Sequence, residues 1–296
     1  MITGSVGVTH NWWEAWLSNP WFCWGFGSYL ALNVGYYTTA LLLEYALAHG
    51  QERSMISYGV FSSKSHRRRS SLLVHKEPSF AEQLSGSLWT TAGPAAISNA
   101  MLAAFLMPYV IPGPYPTLPN LSWLELVCQI LAILIANDFL LYWGHRIQHE
   151  SDYLWQFHAE HHRISTPRPL TTANIHPIDG TLQGGLPLIL ACAWFKPHPL
   201  IFYGLIVVRY GENVLNHSGL DTWWTRALKG SWFVPFVRAG VNHHDRHHKM
   251  SNHAKGATNY GESLVIWDWL FGTLAKTDLR YREDDRLVNI TNSLKR

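Results

Sequence analysis

Four long apolar blocks leave this chain few ways to fold. Residues 22–46 carry a single charge, Glu44, and residues 84–123 carry none. Residues 123–143 are apolar apart from Glu125 and Asp138. A helical bilayer crossing needs about 20 apolar residues, so 22–46, 88–111 and 123–143 are expected to span. The fourth block, 182–208, is broken by Lys196-Pro197-His198-Pro199 into halves of about 14 residues, short for a full crossing. It is expected to form a bent hairpin. The competing arrangement is a buried helical core in a soluble protein. Charged residues make up only 15% of the chain, against about 25% in a typical soluble domain, which favours the membrane. So do Trp21, Trp24, Trp89, Trp123 and Trp143, which sit at block edges where an interfacial aromatic belt would lie.

Basic residues set the orientation. Lys64, Arg67, Arg68 and Arg69 follow the first block, whereas residues 112–122 hold no basic residue. The positive-inside rule therefore places the first loop in the cytosol. Counting crossings returns the chain to the cytosol after Trp143, and a hairpin that enters and leaves on one side keeps the remainder there. The expected fold is all-α: an integral membrane helical bundle with a cytosolic helical cap that carries a histidine-ligated di-metal site. Net charge is only +3, with no basic stripe, which argues against nucleic acid as a partner. Cys23, Cys128 and Cys192 lie in apolar blocks without CxxC spacing and read as small buried hydrophobes.

The histidines are grouped. Thirteen of seventeen fall between His145 and His253. His145 and His149 form HxxxH; His158, His161 and His162 form HxxHH; His244, His247 and His248 repeat HxxHH after His243; His176 and His217 stand between. On a helix, positions i, i+3 and i+4 share a face, so each cluster aims several imidazoles in one direction. A tetrahedral zinc site takes about four ligands, and the clusters offer about twice that number, enough for two adjacent ions. All-nitrogen ligands without thiolates suit iron, zinc or copper. Two irons with open positions could bind dioxygen and attack an unactivated C–H bond. Asp138, two helical turns before His145, is a candidate for orienting the histidines from behind. His10, His49, His66, His75 and His198 read as packing or interfacial residues.

Three boxes and a tail carry a resemblance. Asp138-Phe-Leu-Leu-Tyr-Trp-Gly-His145-Arg-Ile-Gln-His149, Phe157-His-Ala-Glu-His-His162 and His244-Asp-Arg-His-His248 resemble the boxes of the sterol desaturase and fatty acid hydroxylase superfamily. The run Asn259-Tyr-Gly-Glu-Ser-Leu-Val-Ile-Trp-Asp268-Trp-Leu-Phe-Gly-Thr273 is similar to its tail signature. The motif His176-Pro-Ile-Asp179-Gly-Thr-Leu-Gln183 and the doublet His243-His244 look most like the sterol C-5 desaturase-like branch, whereas Asn216-His217-Ser-Gly219 looks like the methyl sterol oxidase and cholesterol hydroxylase branches. Glu150 stands where several relatives have another histidine.

The resemblance implies an O2-dependent membrane monooxygenase or desaturase with two Fe ions, zinc being possible in purified protein. By carry-over the ligands are His145, His149, His158, His161, His162, His217, His244, His247 and His248, with His176 as a tenth and His243 as an alternative ligand or neighbour. It divides the chain into a membrane anchor (1–120), a fatty acid hydroxylase-like catalytic domain (121–280) and a polar tail (281–296). It also implies electrons from NAD(P)H delivered through a reductase and cytochrome b5. The chain has no GxGxxG loop of its own, so the donor is expected to dock as a separate protein near Arg163, Arg168, Lys249 and Lys255. Residence in the endoplasmic reticulum, with the histidines cytosolic, and a membrane lipid, terpenoid or sterol-like substrate follow as expectations. Tyr142, Trp143 and Phe157 are candidates to line the substrate entrance. The alternatives are a tailoring hydroxylase of a non-sterol natural product and, in a different class, a metal-binding membrane protein or transporter.

Overall fold

The computed structural model describes residues 12–49, 79–115, 120–164, 167–231, 237–251 and 255–275. The basic loop with Lys64 and Arg67–Arg69, the residues His10, His66, His75 and His253, and the tail 281–296 lie outside them. The described residues are helical, with no β-strand among them; the one β pairing there is an isolated bridge between Arg238 and Leu264.

Helix α1 (Trp12–Ser18) leads through a π turn at Trp21–Phe26 into α2 (Gly27–Ala48). Then come α3 (Phe80–Thr91) and α4 (Pro94–Val110), α5 (Trp123–Glu150), and α6 (Asp152–His162). A 3-10 turn (Pro169–Ala173) precedes α7 (Pro177–Gly180), a second π turn (Thr181–Gly185) and α8 (Leu186–Phe195). The chain ends with α9 (Pro199–Asn216), α10 (Trp223–Lys229), α11 (Val241–Met250) and α12 (Ile266–Leu270).

Three helical stretches are long and apolar enough to cross a membrane: Phe80–Val110, Trp123–Glu150 and Pro177–Phe195. Inside lipid every backbone N–H and C=O must be satisfied within the segment, and helix does this. One expectation needs correcting. The first block forms a π turn and then α2, a helix of 22 residues that is not among these three stretches and whose inward side carries Ser28, Tyr36 and Glu44, all buried. The second is not a single rod over 88–111. It starts at Phe80 under a Ser79–Glu82 capping box and breaks at Gly93-Pro94, because proline removes an N–H and suits the first turn of a new helix.

The hairpin is present, with arms longer than expected. Pro177–Phe195 goes out and Pro199–Asn216 returns, and both its ends lie at the histidines. Lys196, in left-handed conformation at φ 49°, closes the first arm, and Pro199 starts the second. The returning arm α9 packs along α2 in parallel. A Cβ at Gly35 would lie 2.5 Å from the carbonyl oxygen of Val207, so only glycine permits this approach. Gly144 does the same for α5 against the second π turn, where a Cβ would lie 2.5 Å from Leu182 O.

One apolar core fills the end of the bundle remote from the histidines, where Trp24, Phe202, Met107 and Ile133 are buried together. Trp24 is wholly enclosed, its Nε1 donating to Tyr115 Oη at 3.0 Å, so it does not belong to an interfacial belt. Trp21, Trp89 and Trp123 are exposed, as a belt requires. A second core, around Tyr36, Leu43, Leu170 and Leu215, lies nearer the histidine end.

Candidate metal centre

The histidines meet at one end of the bundle because Ser151 turns the chain back. Helix α5 is capped at Ser122 by a reciprocal pair with Glu125 and runs to Glu150. Ser151 ends it and caps α6, its Oγ accepting from Leu154 N at 3.3 Å. The last turn of α5 therefore faces α6 across a single residue. His217 comes from the end of α9, and α11 closes the site with the third cluster.

Nine imidazoles gather into two adjacent groups of buried side chains. His145, His149, His158, His162 and His247 form one; His161, His217, His244 and His248 form the other, with ligand atoms in each within 4.8 Å of one another. In the first group Nε2 of His149, His158 and His162 lie 3.1–3.2 Å apart, and His247 Nε2 is 3.2 Å from His162 Nε2. In the second, His217 Nε2 lies 3.1 Å from His161 and 2.9 Å from His244, and His248 lies 3.2 Å from His244. An ion about 2.1 Å from each of two nitrogens this far apart would see them at about 90–100°, nearer the octahedral than the tetrahedral angle. Nε2 of His145 is buried without a hydrogen-bond partner, as a ligand atom would be. The donor set fits two ions.

The far nitrogens of four of the nine are held by acceptors that fix the tautomer. Nδ1–H of His145 donates to Tyr260 O at 2.9 Å, that of His247 to Thr258 O at 2.6 Å, and that of His217 to Asn213 O at 2.7 Å. His158 Nδ1–H donates to Asp179 Oδ2 at 3.1 Å. Each leaves Nε2 with its lone pair directed inward. Burial, reinforced by the neighbouring imidazoles, holds His158, His161, His162, His244, His247 and His248 well below the ordinary imidazole pKa. These six are neutral at pH 7, as ligands must be.

Several expected residues sit elsewhere. His176 is a helix cap: its Nδ1 accepts from Ile178 N at 3.2 Å and its ring lies against Phe157. His243 lies 3.1 Å from Asp268, outside both groups. Asp138 touches no histidine; its carboxylate accepts from Ser263 N, Leu264 N and Trp267 Nε1 at 3.0–3.1 Å. It anchors the tail loop whose Tyr260 carbonyl holds His145. The carboxylate that does reach a ligand is Asp179, braced by Gln183 Nε2 at 3.0 Å. A sequence rule that looks for carboxylates on the ligand's own helix misses it, because Asp179 arrives from the start of the hairpin.

The entrance candidates are also displaced. Tyr142 is buried behind the site against Phe271, sharing a hydrogen bond with Thr273. Trp143 packs on Phe271 and Phe157 on His176. None of the three borders the cavity that meets the histidines. That cavity, of about 900 Å³ with its mouth, lies between α2, α4, α5 and the hairpin, and His161 and His217 form part of its wall. Of the expected basic docking residues, Arg163 pairs with Glu160, Arg168 with Glu44 and Lys255 with Asp152. The side chain of Lys249 lies outside the described residues. Exposed Glu150 pairs with Arg146 at 3.9 Å.

Residues 130–273 match the family described as fatty acid hydroxylase, and every histidine of the two groups lies within that stretch. This part of the chain resembles the fatty acid hydroxylase family. Methylsterol monooxygenase 2-2 of Arabidopsis thaliana is 35% identical over 161 residues, 54% of this chain and 58% of that protein. Very-long-chain aldehyde decarbonylase GL1-8 of Oryza sativa subsp. indica is 34% identical over 171 residues, 58% of this chain and 59% of that protein. Lathosterol oxidase of Rattus norvegicus is 29% identical over 160 residues, 52% of this chain and 47% of that protein. The chain thus spans about half to three-fifths of the length of these relatives. No solved structure matches it. The match over residues 130–273 and three stretches long and apolar enough to cross a bilayer support a membrane protein.

Proposed function

We propose that this chain is an O2-dependent oxidoreductase that hydroxylates or desaturates a C–H bond of a membrane-soluble sterol, terpenoid or other lipid. One observation carries the reading: two adjacent all-histidine groups, one of which faces a largely apolar cavity between the helices. Two iron ions held by the nine Nε2 atoms would supply dioxygen activation. The chain itself does the rest. The carbonyls of Tyr260, Thr258 and Asn213 and the Asp179 carboxylate orient four of the ligands. The cavity wall shields the reacting end of the substrate from water, and the hairpin and α2 hold its apolar body. Electrons come from NAD(P)H through an external donor of the cytochrome b5 type. We place the protein in the endoplasmic reticulum with the histidine end cytosolic, as the basic residues at 64–69 favour.

The names of the relatives cover sterol, aldehyde and other lipid chemistry, so ring shape is the open variable. The C-5 desaturase-like motif 176–183, which contributes Asp179 and Gln183 beside His158, favours a rigid ring substrate. Reconstituted protein with cytochrome b5, reductase and NADH should consume oxygen when given sterols or terpenoids. Two metal ions per chain should be found by elemental analysis. Oxygen uptake indifferent to every lipid added, or a folded sample with no metal, would remove the reading.

A further inference from the structure

Helix α12 carries its apolar side outward. Ile266, Trp269 and Leu270 stand at i, i+3 and i+4, so they share one face. All three are exposed, Trp269 at 69% and Leu270 at 52%. The charged residue of this helix points the other way: Asp268 is fully buried and accepts from Tyr260 N and Gly261 N at 2.8 Å each. Phe271 and Leu274 extend the outward face, and Val265 N, donating to Val237 O at 2.9 Å, sets exposed Val237 beside it. Residues 264–275 hold no charge besides Asp268. A contiguous exposed apolar patch marks an interaction site.

What covers it follows from where α12 sits. Exposed Leu131 and Ile135 lie on a ridge of α5 that takes every fourth residue, and Phe139 and Trp143 come next on it. The tail covers the ridge there. Trp267 and Phe271 pack on Phe139, with ring centroids 5.1 and 6.4 Å away, and Phe271 lies 5.0 Å from Trp143. Trp123 and Trp143 are about 30 Å apart along α5, the thickness of a hydrocarbon core. The first charged residue past Trp143 is Arg146. Phe139 is therefore about 6 Å inside the boundary at Trp143. Helix α12, packed on it from outside, reaches the same level, and its outward face continues the lipid-facing side of α5. A soluble protein partner would have to enter the hydrocarbon layer to meet that face.

We propose that α12 and the turn after it, residues 266–274, are seated in the leaflet on the histidine side, with Ile266, Trp269, Leu270 and Phe271 against acyl chains. The segment is an interfacial element of the membrane and not part of a water-exposed cap. Trp269 suits that place, offering an apolar ring to the chains and an N–H to the headgroups. The partner is the lipid surface itself, and the face has no charge with which to select an anionic headgroup. The metal centre is thereby tied to the membrane at a second place besides its long helices. The segment that meets lipid on its outer side carries Asp268 on its inner side, fastening Tyr260, whose carbonyl holds His145.

The test is site-directed fluorescence on the full metal-loaded chain in phosphatidylcholine vesicles. Cys128 is replaced by Ala, Cys23 and Cys192 being buried. An NBD label is then placed singly at Trp269→Cys, Leu270→Cys, Leu131→Cys and Lys255→Cys. Exposed Leu131 is the control within the span, and exposed Lys255 the control in water. Labels at 269 and 270 should be quenched by doxyl lipids and shielded from iodide, at a depth of about 5–10 Å in the headgroup and acyl boundary. Labels at both positions as open to iodide as the one at 255 would overturn the inference. So would labels shielded from both quenchers, the result of a protein seated on the face, whether a second copy or another chain. Water access at 131 would remove the spanning reading of α5 and the inference with it.

Discussion

His158 and Asp179 form a fully buried hydrogen-bonded pair across 21 residues, Nδ1 to Oδ2 at 3.1 Å, which joins the α6 cluster to the start of the hairpin. The carboxylate holds the ring with Nε2 toward His149 and His162 and gives it added basicity. Asp179→Ala should lower metal affinity or activity by about 10–100-fold, and Asp179→Asn, which keeps an acceptor, by less. Metal titration of both variants checks this; equal affinity in all three proteins would remove the orienting role.

His247→Ala and His161→Ala strike different groups and should each lose metal from one of them, falling from about two ions per chain toward one and abolishing turnover. His176→Ala is the contrast. As a helix cap touching no ligand, it should keep both ions and lose at most about 1 kcal/mol of stability. Elemental analysis of the three variants decides, and metal loss in His176→Ala would return that residue to the ligand set.

Asp138 works through the tail loop. Removing its carboxylate unpairs Ser263 N, Leu264 N and Trp267 Nε1 and leaves the buried Arg209 guanidinium, 3.8 Å away, without one of its partners. Breaking a buried charged pair from one side costs about 3–5 kcal/mol, so Asp138→Ala should show a lowered Tm with metal loss following unfolding. Full stability with selective metal loss would point to direct contact with the centre.

Acid should destabilise the metal-free protein. Six ligand histidines have folded-state pKa values well below the usual imidazole value, burial being the main cause. As pH falls through about 6.5, the unfolded chain takes up protons before the folded one. The stability present above that value is therefore lost progressively below it. Tm measured from pH 7.5 to 5 should fall; a flat profile would contradict neutral burial of the cluster.

The hairpin arms are 19 and 18 residues long, about 27 Å of helix each, close to the hydrocarbon thickness. Exposed Lys196 at the tip should therefore reach the face opposite Lys255. With single cysteines at these positions, an impermeant thiol reagent on sealed vesicles should label Lys196→Cys and Lys255→Cys from opposite sides. Labelling from one side would make the hairpin re-entrant.

Period and spacing were enough to read the helices and eight of the nine gathered histidines, while His217 came only from the resemblance. HxxxH and HxxHH place imidazoles on one face of any helix that carries them, and blocks without charge must bury their backbone bonds in helix, whatever packs around them. Those are local consequences of backbone geometry. His176, Asp138, Asp179 and Tyr142 depended on something else. Whether a lone histidine is a ligand or a cap, and which of two carboxylates meets an imidazole, is set by how the hairpin crosses α5 and α6. Gly144 against Leu182 and Gly35 against Val207 fix that crossing through contacts between residues far apart in sequence. The cavity is likewise no single element's property: Asn99, Asn137 and Thr172 come from three segments and share it only because the bundle closes around a space it does not fill.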